Sequence, residues 1–236
     1  MFSAIVLAAG SSTRMGGINK QLAEIGGMPV FVMSAMVFEK SPLVSEIIIA
    51  SPEGRAEEYA DIAAKYPLTK LKKIVSGGAT RALSVKNSLS HVSAGIEFIS
   101  VHDGARPLIT TAESDKVLSA AMEYGAAIAA IPATDTVKRS ENGYVAETPP
   151  RETLYYAQTP QAFRRDIYER CIDFLGERIA EATDDSSILE MCGERVRIVP
   201  IGCCNMKVTR PEDLSAAQAI YMTERRKHYD KSRQRL

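Results

Sequence analysis

The sequence predicts an α/β fold in which a mostly parallel sheet carries helices on both faces. Short, continuously apolar runs alternate with amphipathic segments up to Pro132, and strands that are buried on both faces have this composition. The chain has 236 residues, which is enough for the core of one large α/β domain or of two small ones. We expect a single domain over residues 1–236.

The first nine predicted elements follow this alternation. Apolar runs predict strands at 2–8, 46–51, 71–77, 96–107 and 126–132, the fourth of which continues into a loop. The amphipathic segments between them predict helices at 29–39, 54–66, 80–92 and 111–125. Pro29 suits the first turn of its helix, and Thr110 and Glu113 have the spacing of a capping box.

The alternation ends after Pro132. Residues 133–158 include polar, alternating segments around Asn142-Gly143, a strong hairpin signal, and have too few apolar residues to build a core. We therefore expect a protruding β-hairpin arm over about 133–158. The remaining predictions are helices at 164–175 and around 186–192, strands at 195–201 and near 205–208, a last helix from Pro211, and a solvated basic tail over about 225–236.

Composition excludes several classes of protein. Lys plus Arg and Asp plus Glu are 29 each, so no overall field favours nucleic acid, and an anion site has to be a local cluster. The N-terminus lacks the basic region of a signal peptide, and no apolar run approaches the roughly 20 residues of a membrane span. The four cysteines lack C-x-x-C spacing. We expect a cytoplasmic protein with reduced thiols and no membrane or nucleic-acid partner.

The loop after the first strand is the first candidate site. It is rich in glycine and serine and ends with Arg14 and Lys20. Ligands of open α/β sheets bind beyond the carboxyl ends of the strands, where such a loop can point backbone N–H groups at phosphates. No Lys-Ser or Lys-Thr follows Gly16, so the loop is not a P-loop, and Ser12 and Thr13 break the dinucleotide fingerprint. An anion site and a plain surface loop both remain open.

Two further candidates follow later strands. Gly77-Gly78 ends one strand, and Arg81 and Ser84 share a face of the first turn of the next helix. Glycines beside a helix N-terminus can form a site for an anion or polar ligand, and a simple glycine turn with a surface arginine stays equally open. Asp103 lies at the carboxyl end of another strand, where it suits a ribose hydroxyl or a hydrated metal ion, or else caps a turn.

His102 and Lys207 complete the candidates. His102 is interpreted as structural, because no second His or Cys lies at metal-ligand spacing. Lys207 is flanked by apolar residues on a predicted short strand. A lysine that points inward at the ligand edge of a sheet is costly unless it meets an anion, so Lys207 predicts an anionic partner.

Seven segments occur in a fixed order along the chain: LAAGSSTRMGG…NKQ, GGATRALSV, VHDGARP, DTVKR, TPQAF, TDDSSILE and NMKVTRPEDL. Together they closely resemble the 2-C-methyl-D-erythritol 4-phosphate cytidylyltransferase family over roughly residues 2–222. The first segment alone is shared by many sugar-nucleotide pyrophosphorylases. Ser12 departs from the family, which often has a second glycine there. The resemblance implies a three-layer Rossmann-like nucleotidyltransferase fold with a protruding β-hairpin arm.

The resemblance also implies roles for individual residues and partners. The implied catalytic residues are Arg14, Lys20, Arg151 and Lys207. The implied nucleotide-binding residues are Ala8, Ala9, Gly10, Ser12, Gly78, Arg81, Ser84 and Asp103. The implied residues for the second substrate are Asp103, Gly104, Thr136, Arg151, Thr183 and Lys207. CTP and a polyol phosphate would be the substrates, Mg²⁺ or another divalent cation would be held mainly by their phosphates, and the arm would join a homodimer.

Three other functions are alternatives to the cytidylyltransferase that the resemblance implies. A cytidylyltransferase for another polyol phosphate, such as ribitol 5-phosphate, would share the nucleotide half of the site. A non-catalytic nucleotide-binding regulator would most simply have lost Arg14, Lys20 or Lys207, and all three are present. An oxidoreductase on a dinucleotide-binding fold is disfavoured by the missing glycine fingerprint.

Overall fold

The computed structural model describes residues 1–10, 15–202 and 204–233, with side chains up to residue 224. The strands are β1 (Phe2–Leu7), β2 (Glu24–Ile25), β3 (Met28–Pro29), β4 (Val44–Ser51), β5 (Leu71–Ser76), β6 (Phe98–Asp103), β7 (Ala126–Pro132), β8 (Arg139–Glu141), β9 (Tyr144–Glu147), β10 (Tyr155–Arg164) and β11 (Arg197–Pro200). The α-helices are α1 (Val30–Glu39), α2 (Ala56–Ala63), α3 (Arg81–Leu89), α4 (Thr111–Tyr124), α5 (Arg165–Leu175), α6 (Asp185–Met191) and α7 (Pro211–Arg233). Short 3₁₀ helices lie at Arg151–Thr153 and Gly176–Glu181.

The main sheet has seven strands in the order β11-β7-β10-β6-β1-β4-β5. β1 is parallel to β4 and β6, β4 is parallel to β5, and β11 is parallel to β7. β10 is antiparallel to both of its neighbours, β6 and β7. The predicted mostly parallel sheet is therefore confirmed. Because β1, β4, β5 and β6 run the same way, their carboxyl ends share one edge of the sheet.

Helices cover both faces of the sheet, as predicted. Alternate residues of β1 face opposite sides, because side chains alternate along a strand. Phe2, Ala4 and Val6 pack in one apolar cluster with α1, α2 and α4. Ile5 and Leu7 pack in a second cluster with α3, α5 and α6. These two dry layers on either side of the sheet bury nearly all of β1 and make it a rigid support for the loop that follows.

The elements predicted up to Pro132 are confirmed, with bounds that shift by a few residues. The capping box is present, because the Thr110 side chain accepts the Glu113 N–H while the Glu113 carboxylate accepts the Thr110 N–H. The two-residue strands β2 and β3 form a hairpin that was not among the predicted elements. α7 begins at Pro211 as predicted and packs with this hairpin around the side chains of Ile25 and Ala217. No helix in the described part of the chain is both long and apolar enough to cross a membrane.

The predicted arm is present as a hairpin of β8 and β9, but it is shorter than expected. Asn142 and Gly143 have φ values of 51° and 83°, which suit the type I′ turn that an Asn-Gly pair favours. All residues of β8 and β9 are exposed. The Ala133 N–H donates to the Leu154 carbonyl at 3.0 Å, and this hydrogen bond closes the base of the arm. The arm therefore comprises residues 133–154.

The expectation that residues 155–158 belong to the arm is wrong. They begin β10, which lies between β6 and β7 in the middle of the sheet. From the sequence alone, Pro160 argues against a central strand, because proline has no N–H to donate to a neighbouring strand. The strand tolerates it because its pairing with β7 is irregular between Ala157 and Gln161. Residues 155–157 are exposed, whereas residues 158–163 are buried and contribute to the core.

The predicted strand near 205–208 is also wrong. These residues form an extended loop between β11 and α7 that pairs with no strand. Lys207 therefore reaches the edge of the sheet from a loop. The predicted basic tail continues α7 to Arg233, and its last residues, 234–236, lie outside the described part of the chain.

Candidate active site

A cavity of about 350 Å³ opens beyond the carboxyl ends of β1, β5 and β6. The strand register puts Leu7 beside Asp103, so the loops that follow these two strands emerge side by side. The residues that line the cavity are Leu7, Ala9, Gly10, Lys20, Gln21, Gly78, Ala79, Thr80, Arg81, Ser84, Asp103, Ala105 and Lys207. This is the position where open α/β sheets bind ligands.

The cavity brings together eight of the residues that the sequence analysis proposed: Ala9, Gly10, Lys20, Gly78, Arg81, Ser84, Asp103 and Lys207. Ala8 and Gly104 lie directly behind its wall, with the Gly104 N–H donating to the Leu7 carbonyl at 2.8 Å. Thr136, Arg151 and Thr183 are exposed and do not line it. Ser12 and Arg14 lie outside the described residues.

The turn at Gly77-Gly78 forms one wall and has room for glycine only. A Cβ atom at Gly77 would lie 2.4 Å from the Ala9 Cβ, and one at Gly78 would lie 2.4 Å from the Leu83 Cβ. The Ser84 hydroxyl accepts the Gly78 N–H at 3.0 Å and donates to the Thr80 carbonyl at 3.0 Å. Ser84 therefore holds the shape of this turn at the N-terminus of α3.

Lys20 is presented by a turn that Asn19 organises. The Asn19 side chain accepts the Gln21 N–H at 3.0 Å and donates to the Tyr59 hydroxyl at 3.3 Å. The Leu22 N–H donates to the Asn19 carbonyl at 3.1 Å. These contacts fix the backbone on both sides of Lys20 and place its side chain at the cavity wall.

Asp103 lies at the base of the cavity and is surrounded by cations. Its Oδ2 is 2.9 Å from the Lys207 Nζ and 3.3 Å from the Arg106 Nε, and its Oδ1 is 3.6 Å from the Arg81 Nε. Burial alone raises the pKa of Asp103, but the charges of Lys207, Arg81 and Arg106 outweigh it and hold that pKa well below its ordinary value. Asp103 is therefore an anion at every physiological pH.

A buried hydrogen-bond chain holds the Asp103 backbone in place. The Thr159 hydroxyl accepts the Asp103 N–H at 3.0 Å and lies 3.0 Å from the His102 Nδ1, while the His102 Nε2 lies 3.1 Å from the Arg106 carbonyl. A carbonyl can only accept, so Nε2 carries the proton and Nδ1 accepts from Thr159. His102 is fully buried and has the structural role that the sequence predicted.

The buried hydrogen bonds of His102 predict that the protein loses stability in mild acid. Burial lowers the pKa of His102 from 6.5 to about 4, so between these values the unfolded chain binds a proton that the folded protein does not. The contribution of neutral His102 to the free energy of unfolding is fully present above the pKa that His102 has in the unfolded chain. It declines as the pH falls, by about 2 kcal/mol between pH 7.5 and 5.0. Denaturant unfolding at both pH values measures this loss.

The matched variant for this prediction is His102→Gln. Its side-chain amide can still donate to the Arg106 carbonyl, but it does not titrate. We expect its stability to change about 2 kcal/mol less than that of the unchanged protein over the same pH interval. An equal decline in both proteins would show that the loss arises elsewhere.

The loop that carries Lys207 is anchored on both sides. Asn205 is buried, and its Nδ2 donates to the Gln158 Oε1 and to the Thr159 carbonyl, both at 2.8 Å. The Val208 N–H donates to the Ala105 carbonyl at 2.8 Å. Lys207 thus has a fixed position despite lying in a loop, and its ammonium group meets the anion that the sequence predicted, in the form of Asp103.

The sequence analysis missed several residues of this site. Gln21 lines the cavity and is 2% exposed, and among the described residues nothing hydrogen-bonds its Oε1. Its position directly after Lys20 is the feature of the sequence that could have indicated its place in the cavity. Arg106 belongs to the VHDGARP segment, yet its role becomes visible only in the fold, where it bonds Asp103 and, at 2.8 Å, the Asn205 carbonyl.

A three-layer α/β fold with a glycine-walled, cation-lined cavity at the carboxyl edge of its sheet defines an enzyme of the nucleotidyltransferase class. The sequence model of the 2-C-methyl-D-erythritol 4-phosphate cytidylyltransferase family matches residues 2–224. The chain therefore belongs to this family.

Individual relatives agree with this assignment. The chain is 40% identical over 235 residues to a 2-C-methyl-D-erythritol 4-phosphate cytidylyltransferase of Bacillus mycoides, covering 96% of this chain and all of the relative. It is 41% identical over 224 residues to one of Syntrophus aciditrophicus, covering 94% and 96% of the two chains. The crystal structure of 4-diphosphocytidyl-2C-methyl-D-erythritol synthase from Anaerococcus prevotii superposes with a TM-score of 0.82 at 30% identity, covering 94% and 96% of the two chains.

Proposed function

We propose that the protein transfers CMP from CTP to 2-C-methyl-D-erythritol 4-phosphate, which yields 4-diphosphocytidyl-2-C-methyl-D-erythritol and pyrophosphate in the non-mevalonate route to isoprenoid precursors. Family membership supports this reaction. The structural observation that carries it is the convergence of Lys20, Arg81 and Lys207 on one cavity that has a single carboxylate, Asp103, among its lining residues. Such a cavity suits a highly anionic ligand.

The chemistry needs no protein nucleophile. A phosphate oxygen of the methylerythritol phosphate attacks the α-phosphorus of CTP, a new P–O bond forms, and the bond to the β-phosphate oxygen breaks to release pyrophosphate. The attacking phosphate is largely ionised at neutral pH, because its second pKa is near 6. The obstacle is repulsion between two anions, so positioning and charge stabilisation supply the catalysis.

The residues of the cavity divide this work. The turn at Gly77-Gly78 and the N-terminus of α3 border the cavity, and the positive end of a helix suits phosphate or the polar edge of a base. Lys20 stabilises the charge that builds up on the triphosphate, and Arg14 is proposed to do the same. Lys207, held 2.9 Å from Asp103, bridges to the attacking phosphate. Ala8, Ala9, Gly10 and Ser12 are proposed to follow the nucleotide.

A divalent cation such as Mg²⁺ fits this donor set when phosphates supply most of its ligands. Asp103 is the one carboxylate among the residues that line the cavity, and Mg²⁺ in nucleotide sites commonly takes one or two carboxylates together with phosphate oxygens and water. When bound there, the cation would neutralise part of the triphosphate charge. Asp103 is ionised, as its lowered pKa shows, and so is ready to contact either the ion or the ribose.

The arm is proposed to complete the site of a second subunit in a homodimer. Thr136 and Arg151 do not line the cavity of their own chain, and the Arg151 Nη1 donates to the Thr134 carbonyl at 2.9 Å within the arm. Tyr144 and Val145 are 81% and 64% exposed on β9. A two-stranded hairpin is marginal in water by itself, so a partner surface would stabilise it. Thr183 and Gly104 are proposed to border the same substrate pocket.

Substrate choice separates this proposal from its rivals. Pyrophosphate release is measured with methylerythritol, ribitol and glycerol phosphates as acceptors, each with CTP. We expect methylerythritol 4-phosphate to give the highest kcat/KM. A preference for ribitol 5-phosphate would identify a related cytidylyltransferase, and no release with any acceptor would favour a nucleotide-binding regulator. We also propose that the reaction takes place in the cytoplasm.

The nucleotide preference is a separate prediction. The Gly77-Gly78 turn leaves no space for larger side chains, because Ala9 and Leu83 lie against it. Its N–H groups already donate to the Ser51 carbonyl and the Ser84 hydroxyl, so its carbonyl groups are the ones proposed to contact the edge of a pyrimidine. We expect kcat/KM for CTP to exceed that for UTP or ATP by about 100-fold or more, as in sites that hydrogen-bond a particular substrate group. Comparable values for two nucleotides would contradict this prediction.

A further inference from the structure

Asp185 is a fully buried carboxylate behind the cavity, and the proposed reaction assigns it no role. It is the first residue of α6 and is 0% exposed. Its Oδ2 accepts from the Arg81 Nη1. Its Oδ1 accepts from the Tyr168 hydroxyl at 2.7 Å, and that tyrosine is also fully buried. Both carboxylate oxygens therefore have fixed partners, and Arg81 is the only one of the two partners that lines the cavity.

The backbone around Asp185 is rigidly held. The Asp184 side chain accepts the Ser187 N–H at 2.9 Å and caps α6. The Gln161 side chain donates to the Asp184 Oδ2 at 2.7 Å and accepts the Ser186 N–H at 3.0 Å. Because Gln161 belongs to β10, the first turn of α6 is tied to the centre of the sheet. Asp185 therefore presents its carboxylate from a position that the core of the protein determines.

Arg81 itself has no such support from its own helix. It is the first residue of α3, and its side chain is 30% exposed. Its second ion pair among the described residues is with Asp103, whose Oδ1 lies 3.6 Å from the Arg81 Nε. A guanidinium group has five N–H donors, and the contact with Asp185 uses Nη1. The other donors remain for Asp103 and for a ligand in the cavity.

We propose that Asp185 is a positioning residue for CTP, which holds the Arg81 guanidinium in the orientation that contacts the nucleotide. This inference rests on the proposed function and deepens it. A long arginine side chain loses much rotational freedom on binding, and fixing it beforehand improves affinity. The carboxylate of Asp185 also has an opposing effect, because its negative charge offsets that of Arg81 and weakens the attraction of Arg81 for phosphate. The two effects predict opposite changes when Asp185 loses its charge.

The test is Asp185→Asn, which keeps the shape of the side chain and removes its charge. We expect the KM for CTP to rise about tenfold, as for loss of a charge-assisted hydrogen bond, while kcat and the KM for the polyol phosphate change less than about threefold. Calorimetric titration with CTP alone should show the same weakening. Because this titration needs no turnover, it tests Asp185 even if the proposed reaction is wrong.

A double-mutant cycle separates positioning from a merely structural role. Arg81→Met should raise the KM for CTP by itself, and adding Asp185→Asn to Arg81→Met should raise it less than about twofold further, because Asp185 acts through Arg81. The matched control is Glu169→Gln, which removes the carboxylate 2.7 Å from the Arg165 Nε on α5, remote from the cavity lining. This control should leave the KM for CTP unchanged.

Three results would overturn the proposal: an unchanged KM in folded Asp185→Asn, a lowered KM, or full additivity in the cycle. A lowered KM would show that the carboxylate mainly offsets the charge of Arg81. If Asp185→Asn fails to fold, Tyr168→Phe provides the test, because it keeps the Arg81 ion pair and removes the hydroxyl that holds the Asp185 Oδ1. We then expect a two- to fivefold rise in the KM for CTP, and an unchanged value would contradict the proposal.

Discussion

Replacement of Lys20 by alanine is expected to lower kcat about 100-fold or more, the effect typical of a lost transition-state stabiliser. Lys20 lies on the cavity wall beside Gly10, and the Asn19 turn fixes its backbone. Its charge would stabilise the negative charge that builds up on the leaving pyrophosphate. Steady-state pyrophosphate release at saturating CTP measures kcat directly.

The same variant should fold normally. Lys20 is half-buried and belongs to none of the apolar clusters, so its loss should change the free energy of unfolding by less than about 1 kcal/mol. The matched control is Lys116→Ala, which removes an exposed lysine from α4 and should leave kcat unchanged. A folded Lys20→Ala protein with near-normal kcat would remove Lys20 from the catalytic residues.

The sequence predicts the order of the layers well, because strands that are buried on both faces of a sheet are nearly continuous apolar runs. β1 is apolar at almost every position and is flanked by two helical layers. β10 is different, since Gln158, Thr159 and Gln161 are polar and buried. Their partners lie far along the chain, as when Gln161 bonds Asp184 or Thr159 bonds His102. A polar residue whose burial is compensated only by the tertiary structure is indistinguishable from a loop residue in the sequence.

The candidate site was predictable to a similar extent. Asp103 ends β6 and Gly78 comes shortly after β5, and the carboxyl ends of parallel strands meet at one edge. The buried contacts that hold the cavity residues in place could not be predicted from the sequence. Asp185 pairs with Arg81 across 104 positions of the chain, and neither residue carries a local signal of that pairing. Lys207 was predicted at the correct edge for the wrong reason, because a loop held by Asn205 and Val208 presents it.

A shared active site predicts that two inactive variants restore activity when combined. Under the proposed dimer, each site combines Lys207 of one chain with Arg151 on the arm of the other. Lys207→Ala and Arg151→Ala homodimers should each be nearly inactive. In a heterodimer of the two, one site keeps both residues and the other loses both. Co-expression with two different tags and purification on both should therefore recover up to about half of the normal activity per dimer.

The matched control combines Lys207→Ala with Lys20→Ala. Both residues line the cavity of the same chain, so each site of that heterodimer lacks one of them and no activity should return. The exposed strands β8 and β9 of the arm make the first result physically reasonable, because Arg151 lies outside the cavity of its own chain. If the Lys207→Ala and Arg151→Ala heterodimer forms but stays as inactive as the control, the arm serves the site of its own chain and the shared-site proposal is wrong.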